Sequence, residues 1–264
     1  MYDLHITLIQ SDIFWEDPVK NIEQFGTMID AISTPTDLIV LPEMFNTGFS
    51  INPHRCAETA NGPAIGFMRE KSAGGDLMIM GSIMVEERAS CFNRLICMRP
   101  DGFSDHYDKR HLFRLSEEYK TMKGGRAKTI VNWRGWKILP LVCYDLRFPV
   151  WSRNTWENGS FAYDVLLYVA NWPKSRSSIW KSLLIARAIE NQCYVIGVNR
   201  IGKDGYGTPY SGNSMIINPD GTILVSVDEE KPAVLQSKLS MEKLRGFRES
   251  YPFGPDWDHF TIQL

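Results

Sequence analysis

The stretch Ile138-Leu139-Pro140-Leu141-Val142-Cys143-Tyr144-Asp145-Leu146-Arg147-Phe148-Pro149 decides how this chain is read. Five apolar residues end in a cysteine, and the sequence then turns polar. That is the pattern of a buried strand delivering a thiol to a sheet edge, where the following loop can carry function. A thiol placed there becomes a nucleophile if one neighbour takes its proton and another stabilises the oxyanion it creates. Two other segments offer such groups. Leu38-Ile39-Val40-Leu41-Pro42-Glu43 is again an apolar strand ending in a charge, and Tyr107-Asp108-Lys109-Arg110-His111-Leu112-Phe113 is a basic cluster in an otherwise alternating region. Singly, each has a plainer explanation: an inert buried thiol, a carboxylate that caps or solvates a turn, an exposed strand lysine.

Outward from these segments the chain mixes β–α–β units with hairpins. Residues 4–9 read as a first strand. Asp17-Pro18 reads as an N-cap with proline at the first helical position, and Val19, Ile22, Phe25, Met28, Ile29 and Ile32 recur at helical spacing. Residues 37–43 are expected as a strand and 63–72 as a shorter helix. Strands are expected at 77–85, 92–98 and 103–107, with Pro100-Asp101-Gly102 as one of the turns between them. Residues 129–142 hold two more about Arg134-Gly135. A strand at 163–170 precedes the clearest helix, 177–192, capped by Ser177 or Ser178 and with Trp180, Leu183, Leu184 and Ala188 on one face. Strands at 193–199, 214–218, 222–227 and 233–238 follow, with Pro219-Asp220-Gly221 as a turn. No Pro/Gly/Ser-rich linker and no internal repeat divides the chain. One domain over 1–264, with a C-terminal tail from residue 245 to 264, is the economical reading. Periodicity by itself supports α/β or α+β with more than one sheet.

With 264 residues, 44% of them apolar, the chain can bury a substantial core as one large domain or two small ones. A formal charge of −2, with Lys and Arg scattered, gives no nucleic-acid-binding face. No apolar run approaches the ~20 residues of a membrane span, and Met1-Tyr2-Asp3-Leu4-His5 lacks the basic start and apolar stretch of a signal peptide. Cys56, Cys91, Cys97, Cys143 and Cys193 are an odd number without framework spacing. They read as reduced thiols of a cytoplasmic protein, and no CxxC pair suggests zinc.

Together, Glu43, Lys109 and Cys143, in that order and each in its hydrophobic frame, resemble the nitrilase superfamily of carbon–nitrogen hydrolases. The resemblance continues through Tyr168-Val169-Ala170-Asn171-Trp172-Pro173, Ala186-Arg187-Ala188-Ile189-Glu190-Asn191-Gln192 and Gly197-Val198-Asn199-Arg200. It covers essentially the whole chain, and within the superfamily the chain is most similar to the small bacterial omega-amidases. The resemblance implies an α/β fold, a four-layer α-β-β-α sandwich of two mixed sheets packed face to face with helices outside. It also implies a homodimer or higher homo-oligomer built through helices on one face. The aromatic tail 247–260, with Tyr251, Phe253, Trp257 and Phe260, either reaches across such an interface or packs on its own subunit.

The resemblance further implies release of ammonia from the terminal amide of short dicarboxylic acid monoamides, such as 2-oxoglutaramate and 2-oxosuccinamate, through a cysteine thioester. It implies no cofactor and no metal. In that chemistry Cys143 is the nucleophile, with a thiol pKa lowered by a nearby ammonium. Glu43 accepts the thiol proton, returns one to departing ammonia and then activates water. Lys109 and the backbone N–H of Tyr144 face the oxyanion. A second glutamate that orients the lysine and the water falls in Leu115-Ser116-Glu117-Glu118-Tyr119, with Glu118 the choice and Glu117 the alternative. Many members carry Tyr-Arg-Lys or Tyr-Lys-Lys where this chain has Tyr107-Asp108-Lys109-Arg110. An arginine does not readily transfer a proton, so Lys109 keeps the catalytic position. Arg147 is the candidate donor to the substrate's free carboxylate, or else a structural arginine paired with Asp145. Phe49, Trp172 and Tyr119 are the candidate pocket walls.

Other readings compete. A papain-like hydrolase needs a histidine paired with Cys143, and none of His5, His54, His106, His111 and His259 sits in such a frame. A zinc hydrolase on His106 and His111 lacks standard ligand spacing and an HExxH motif. Within the superfamily, an N-carbamoyl hydrolase or a nitrilase could use the same three residues. A non-catalytic binding protein would ordinarily have lost one of them.

Overall fold

A computed structural model of the chain describes residues 3–263. It opens with β1 (Leu4–Gln10), α1 (Pro18–Asp30) and β2 (Leu38–Val40), then a single turn α2 (Pro53–Cys56) and α3 (Pro63–Gly75). Three strands run up and down: β3 (Met78–Glu87), β4 (Ser90–Met98) and β5 (Ser104–Asp108). After the short α4 (Glu118–Thr121), the hairpin β6 (Val131–Trp133) and β7 (Trp136–Val142) starts a second sheet. Short pieces α5 (Pro149–Ser152), β8 (Trp156–Glu157) and β9 (Ser160–Phe161) lead to β10 (Val165–Ala170), α6 (Ser177–Asn191) and β11 (Tyr194–Asn199). A separate hairpin, β12 (Ile201–Lys203) and β13 (Pro209–Ser211), precedes β14 (Met215–Ile217), β15 (Ile223–Ser226), β16 (Ala233–Leu239) and α7 (Met241–Ser250).

The strands form two six-stranded mixed sheets, ordered β16-β1-β2-β3-β4-β5 and β15-β14-β11-β10-β7-β6. Strand alternation decides which side chains meet where. Leu4, Ile6, Leu8, Leu38, Val40, Met78 and Met80 join an apolar cluster with Leu141, Val169 and Val198 of the second sheet. The intervening Ile9, Ile39 and Ile79 turn the other way and pack with Phe25, Ile29, Ile65 and Met68 of α1 and α3. On the far side α6 lies on the second sheet so closely that a Cβ at Gly197 would stand 2.5 Å from a Leu184 methyl and 2.8 Å from the Trp180 ring. The order helix, sheet, sheet, helix is the expected four-layer sandwich. Among the described residues no helix is long and apolar enough to cross a membrane.

Pro140 lies inside a central strand, a position that ordinarily needs an amide hydrogen. The Lys137 amide faces β10, donating to the Asp164 carboxylate at 3.1 Å. Alternate amides therefore face the other edge, where β6 has ended opposite Ile138. Pro140 falls on this vacated edge. So does the Val142 N–H, which donates to the Asp145 carboxylate at 3.1 Å.

Three expectations need correcting. The strand expected over 37–43 is regular only over Leu38–Val40, because Pro42 cannot extend a ladder and the chain turns at Glu43. Neither Ser177 nor Ser178 caps α6: its N-cap is Arg176, with no side-chain cap, because a 3-10 turn over Lys174–Arg176 feeds the helix directly. The tail is ordered at its start as α7, capped by Ser240. Beyond it, Trp257 packs edge-on against Phe161 at 5.4 Å and under the Arg153 guanidinium at 4.2 Å. The tail thus contacts its own subunit, while Tyr251, Phe253 and Phe260 stay exposed.

Candidate active site

Strand ends from both sheets converge on one spot. Glu43 follows β2, Lys109 follows β5, Cys143 follows β7 and Asn171 follows β10, while Glu118 opens α4. These are the carboxyl ends of their strands, where open α/β sheets place their sites. Register explains the burial of the lysine. Tyr107 points into the core between the sheets, and Lys109, two residues on, shares its face.

The side chains of Lys109, Glu43 and Glu118 are fully buried. The Lys109 ammonium donates to Glu43 Oε1 at 2.9 Å and to Glu118 Oε1 and Oε2 at 3.1 and 3.0 Å. Asn93 Nδ2 donates to Glu43 Oε1 at 2.8 Å and to Glu118 Oε1 at 3.2 Å, bridging both acids. Glu43 Oε2 accepts the Asn171 N–H at 2.7 Å, and Asn171 Nδ2 donates to the Glu43 carbonyl at 2.6 Å. Glu118 Oε2 also accepts the Phe113 N–H at 2.6 Å. Burial by itself lowers the pKa of Lys109, but the two carboxylates outweigh it and hold the ammonium charged far into alkali. Burial raises Glu118, opposed by Lys109 and reinforced by the Glu43 charge.

Cys143 stands beside this cluster in the left-handed region, with φ +43°. For a residue with a Cβ that conformation costs about 1–3 kcal/mol and needs surrounding bonds to hold it. The Asp145 carboxylate supplies them. It accepts the Val142 N–H, the Tyr107 hydroxyl at 2.8 Å, and the His111 N–H and Nδ1 at 3.0 and 2.7 Å. This buried acid ties the cysteine turn to the lysine segment. Asp145→Asn must present an N–H to at least one of these donors. It should destabilise the fold by about 1.5–3 kcal/mol, read in urea unfolding, and lower kcat as the turn loosens. Unchanged stability and kcat would contradict that role.

The thiol departs from the sequence expectation. Burial pushes Cys143 well above the ordinary cysteine range, the Glu43 charge adds to the rise, and Lys109 only partly opposes it. The thiol is hydrogen-bonded to Glu43 and lies 3.8 Å from the Asn171 carbonyl. The resting nucleophile is therefore a protonated thiol beside a base, not a preformed thiolate. A raised pKa leaves little thiolate at neutrality, and that little grows with pH. Iodoacetamide alkylation of Cys143 should keep accelerating from about pH 7 to about pH 10. A plateau already reached near neutrality would indicate a thiolate held by Lys109.

These groups open onto a cavity of about 450 Å³. Phe49, Tyr144, Arg147 and Trp172 line it, as do Phe113, Arg176 and the 204–210 part of the β12–β13 hairpin. The Phe49 ring lies 5.0 Å from the Lys109 ammonium. Tyr144 packs edge-on against Phe113 and Phe148, each at 5.1 Å. Arg147 is not paired with Asp145, whose oxygens are taken, but sits over the Trp172 ring at 5.0 Å. Of the two candidate glutamates, Glu118 reaches Lys109. Glu117 adopts a left-handed turn (φ +65°), edges the cavity mouth and pairs with Lys120 at 2.5 Å. Tyr119 does not line the cavity, contrary to expectation. With Glu118 pointing inward, the next residue of the helical turn faces solvent, and its ring lies against Arg114 at 5.4 Å. Asn93 was missed, although it shares the inward face of β4 with Leu95 and Cys97. A polar residue in that series was the available signal.

Comparison with known proteins agrees with this geometry. The family model described as carbon-nitrogen hydrolase matches residues 5–249. The chain is 45% identical to the omega-amidase YafV of Escherichia coli over 99% of this chain and 100% of that protein. It is 32% identical to a 2-oxoglutaramate amidase of Bacillus subtilis, over 95% and 96% of the two chains. A CN-hydrolase superfamily protein of Xanthomonas campestris, whose crystal structure holds an arsenic adduct in the active site, superposes with a TM-score of 0.97 at 40% identity over the full length of both chains. With two mixed sheets, helices outside, and Glu43, Lys109 and Cys143 brought to one pocket, this chain belongs to the carbon–nitrogen hydrolase family, the nitrilase superfamily.

Proposed function

We propose that this chain is an omega-amidase, releasing ammonia from the terminal amide of short dicarboxylic acid monoamides such as 2-oxoglutaramate and 2-oxosuccinamate. The observation that carries the reading is one cavity with two unlike parts. A buried thiol, carboxylate and ammonium form one, and the Arg147 guanidinium, without an anionic partner among the described residues, forms the other. The first suits an amide and the second a carboxylate. The relatives named omega-amidase and 2-oxoglutaramate amidase support the same substrate class.

In this reading Cys143 Sγ attacks the amide carbon as Glu43 takes the thiol proton. The oxyanion meets the Lys109 ammonium and the N–H of Tyr144, which lies at the start of the 3-10 turn Cys143–Arg147, where N–H groups have no partner within the turn. Collapse breaks the C–N bond, and Glu43 returns the proton to the leaving nitrogen as ammonia. Glu43, placed with Glu118 and Lys109, then deprotonates a water that attacks the thioester. The free acid leaves and the thiol is restored.

We further propose a cytoplasmic homodimer, supported by five free cysteines that suit a reducing compartment and by exposed Ile189, Tyr251, Phe253 and Phe260. The functional test is ammonia release from 2-oxoglutaramate beside glutamine, a simple nitrile and an N-carbamoyl amino acid, with Cys143→Ala as control. Release from 2-oxoglutaramate, lost in the variant, is expected. Release only from the nitrile or the carbamoyl compound would overturn the substrate assignment.

A further inference from the structure

The charged groups around the cavity are unequally committed. Glu43 and Lys109 bond each other, and Glu117 is paired with Lys120. Asp204 accepts the N–H groups of Tyr206 and Thr208, each at 2.9 Å, and the Tyr210 hydroxyl at 2.8 Å. Two cations remain, Arg147 and Arg176, and neither guanidinium has an anionic or hydrogen-bonded partner among the described residues. Each instead rests against an aromatic ring, Arg147 over Trp172 at 5.0 Å and Arg176 over Phe113 at 5.5 Å. Contact through the flat face leaves the N–H edge of a guanidinium free for a ligand.

Arg176 is also held in place at its backbone. Its N–H donates to the Pro173 carbonyl at 3.0 Å, and its carbonyl accepts the Trp172 indole N–H at 2.8 Å. Trp172 therefore links both arginines, lying under one guanidinium and anchoring the main chain of the other. The ring under Arg176 belongs to Phe113, whose N–H donates to Glu118. Two uncompensated cations lining one small cavity repel each other, and an anion between them relieves the repulsion.

We propose that Arg176 is a specificity-determining residue, which with Arg147 clamps the free carboxylate of the substrate between two guanidinium groups. The inference rests on the omega-amidase reading. It accounts for selectivity: a neutral amide leaves both cations unanswered in a partly desolvated wall, whereas a monoamide carrying a carboxylate neutralises them.

The test compares wild type, Arg147→Gln, Arg176→Gln and Arg176→Lys on 2-oxoglutaramate and on the neutral butyramide. Calorimetric binding of 2-oxoglutarate, which lacks the scissile amide, is measured alongside. Losing a hydrogen bond to a charged group corresponds to about a 10- to 100-fold loss. Arg176→Gln is expected to raise KM for 2-oxoglutaramate and weaken 2-oxoglutarate binding by that factor. The ratio of kcat/KM for 2-oxoglutaramate over butyramide should fall, and Arg176→Lys should recover part of the binding. Equal loss on both amides, or unchanged 2-oxoglutarate binding in a folded Arg176→Gln protein, would overturn the clamp. Wild type that ignores 2-oxoglutaramate would instead overturn the parent reading. The 2-oxoglutarate binding comparison would still decide the role of Arg176.

Discussion

Glu43→Gln should lower kcat for amide hydrolysis by about 10²- to 10⁴-fold, the range for losing a general acid–base group, and towards the upper end because Glu43 serves both half-reactions. The reason is local. Each Glu43 oxygen already accepts from fixed donors, Lys109 and Asn93 on one and the Asn171 N–H on the other. A glutamine must aim its own N–H₂ at one of these donors and cannot take a proton. The thiol, already held protonated by burial, then has no base beside it. Binding of 2-oxoglutarate should change far less than kcat, since Glu43 is not part of the arginine wall. Steady-state kinetics with calorimetry checks this, and a kcat within about tenfold of wild type would remove Glu43 as the base.

Lys109→Ala carries the second large effect, on rate and stability together. Losing one oxyanion donor costs about 3–4 kcal/mol of barrier, or about 10²- to 10³-fold in kcat. The same change leaves Glu43 and Glu118 facing each other, fully buried, with no cation between them. Breaking a buried ion pair from one side costs about 3–5 kcal/mol, which for a protein of this size shifts Tm down by about 10 °C. The pH dependence follows from the sign. Without the ammonium, one carboxyl takes up a proton in the folded state, so its folded pKa lies above the unfolded value. Stability lost at neutral pH is then partly regained as pH falls. Lys109→Arg should not rescue activity, because a planar fork cannot occupy the point between three carboxylate oxygens. A Lys109→Ala protein with wild-type kcat and Tm would contradict both roles.

Much of this was legible in the sequence because strand alternation and strand ends are local signals. Leu38 and Val40 against Ile39 shows the two-faced burial of a strand between another sheet and a helix layer, and Asp17-Pro18 shows the start of α1. The order Glu43, Lys109, Cys143 could be read for the same reason, each residue ending an apolar or alternating run. What the sequence hid depends on distant partners. The high proton affinity of Cys143 comes from burial and from Glu43, a hundred positions earlier in the chain. Asp145 looked like a partner for Arg147 until its oxygens were found bonded to Tyr107, His111 and Val142. Tyr119 looked like a wall residue because it adjoins Glu118, but one step along a helical turn reverses which way a side chain faces. Arg176, in a 3-10 turn without periodicity, gave no signal of its own.

The central claim is that hydrolysis runs through a thioester on Cys143. Rapid mixing of enzyme with 2-oxoglutaramate, acid quench within the first turnover and intact-mass analysis tests it most directly. The account predicts a mass increase of one 2-oxoglutaryl group, mapped to the peptide containing Cys143 and absent from Cys143→Ala, which releases no ammonia. Steady ammonia release by Cys143→Ala, or turnover by wild type with no adduct at any quench time or temperature, would contradict it.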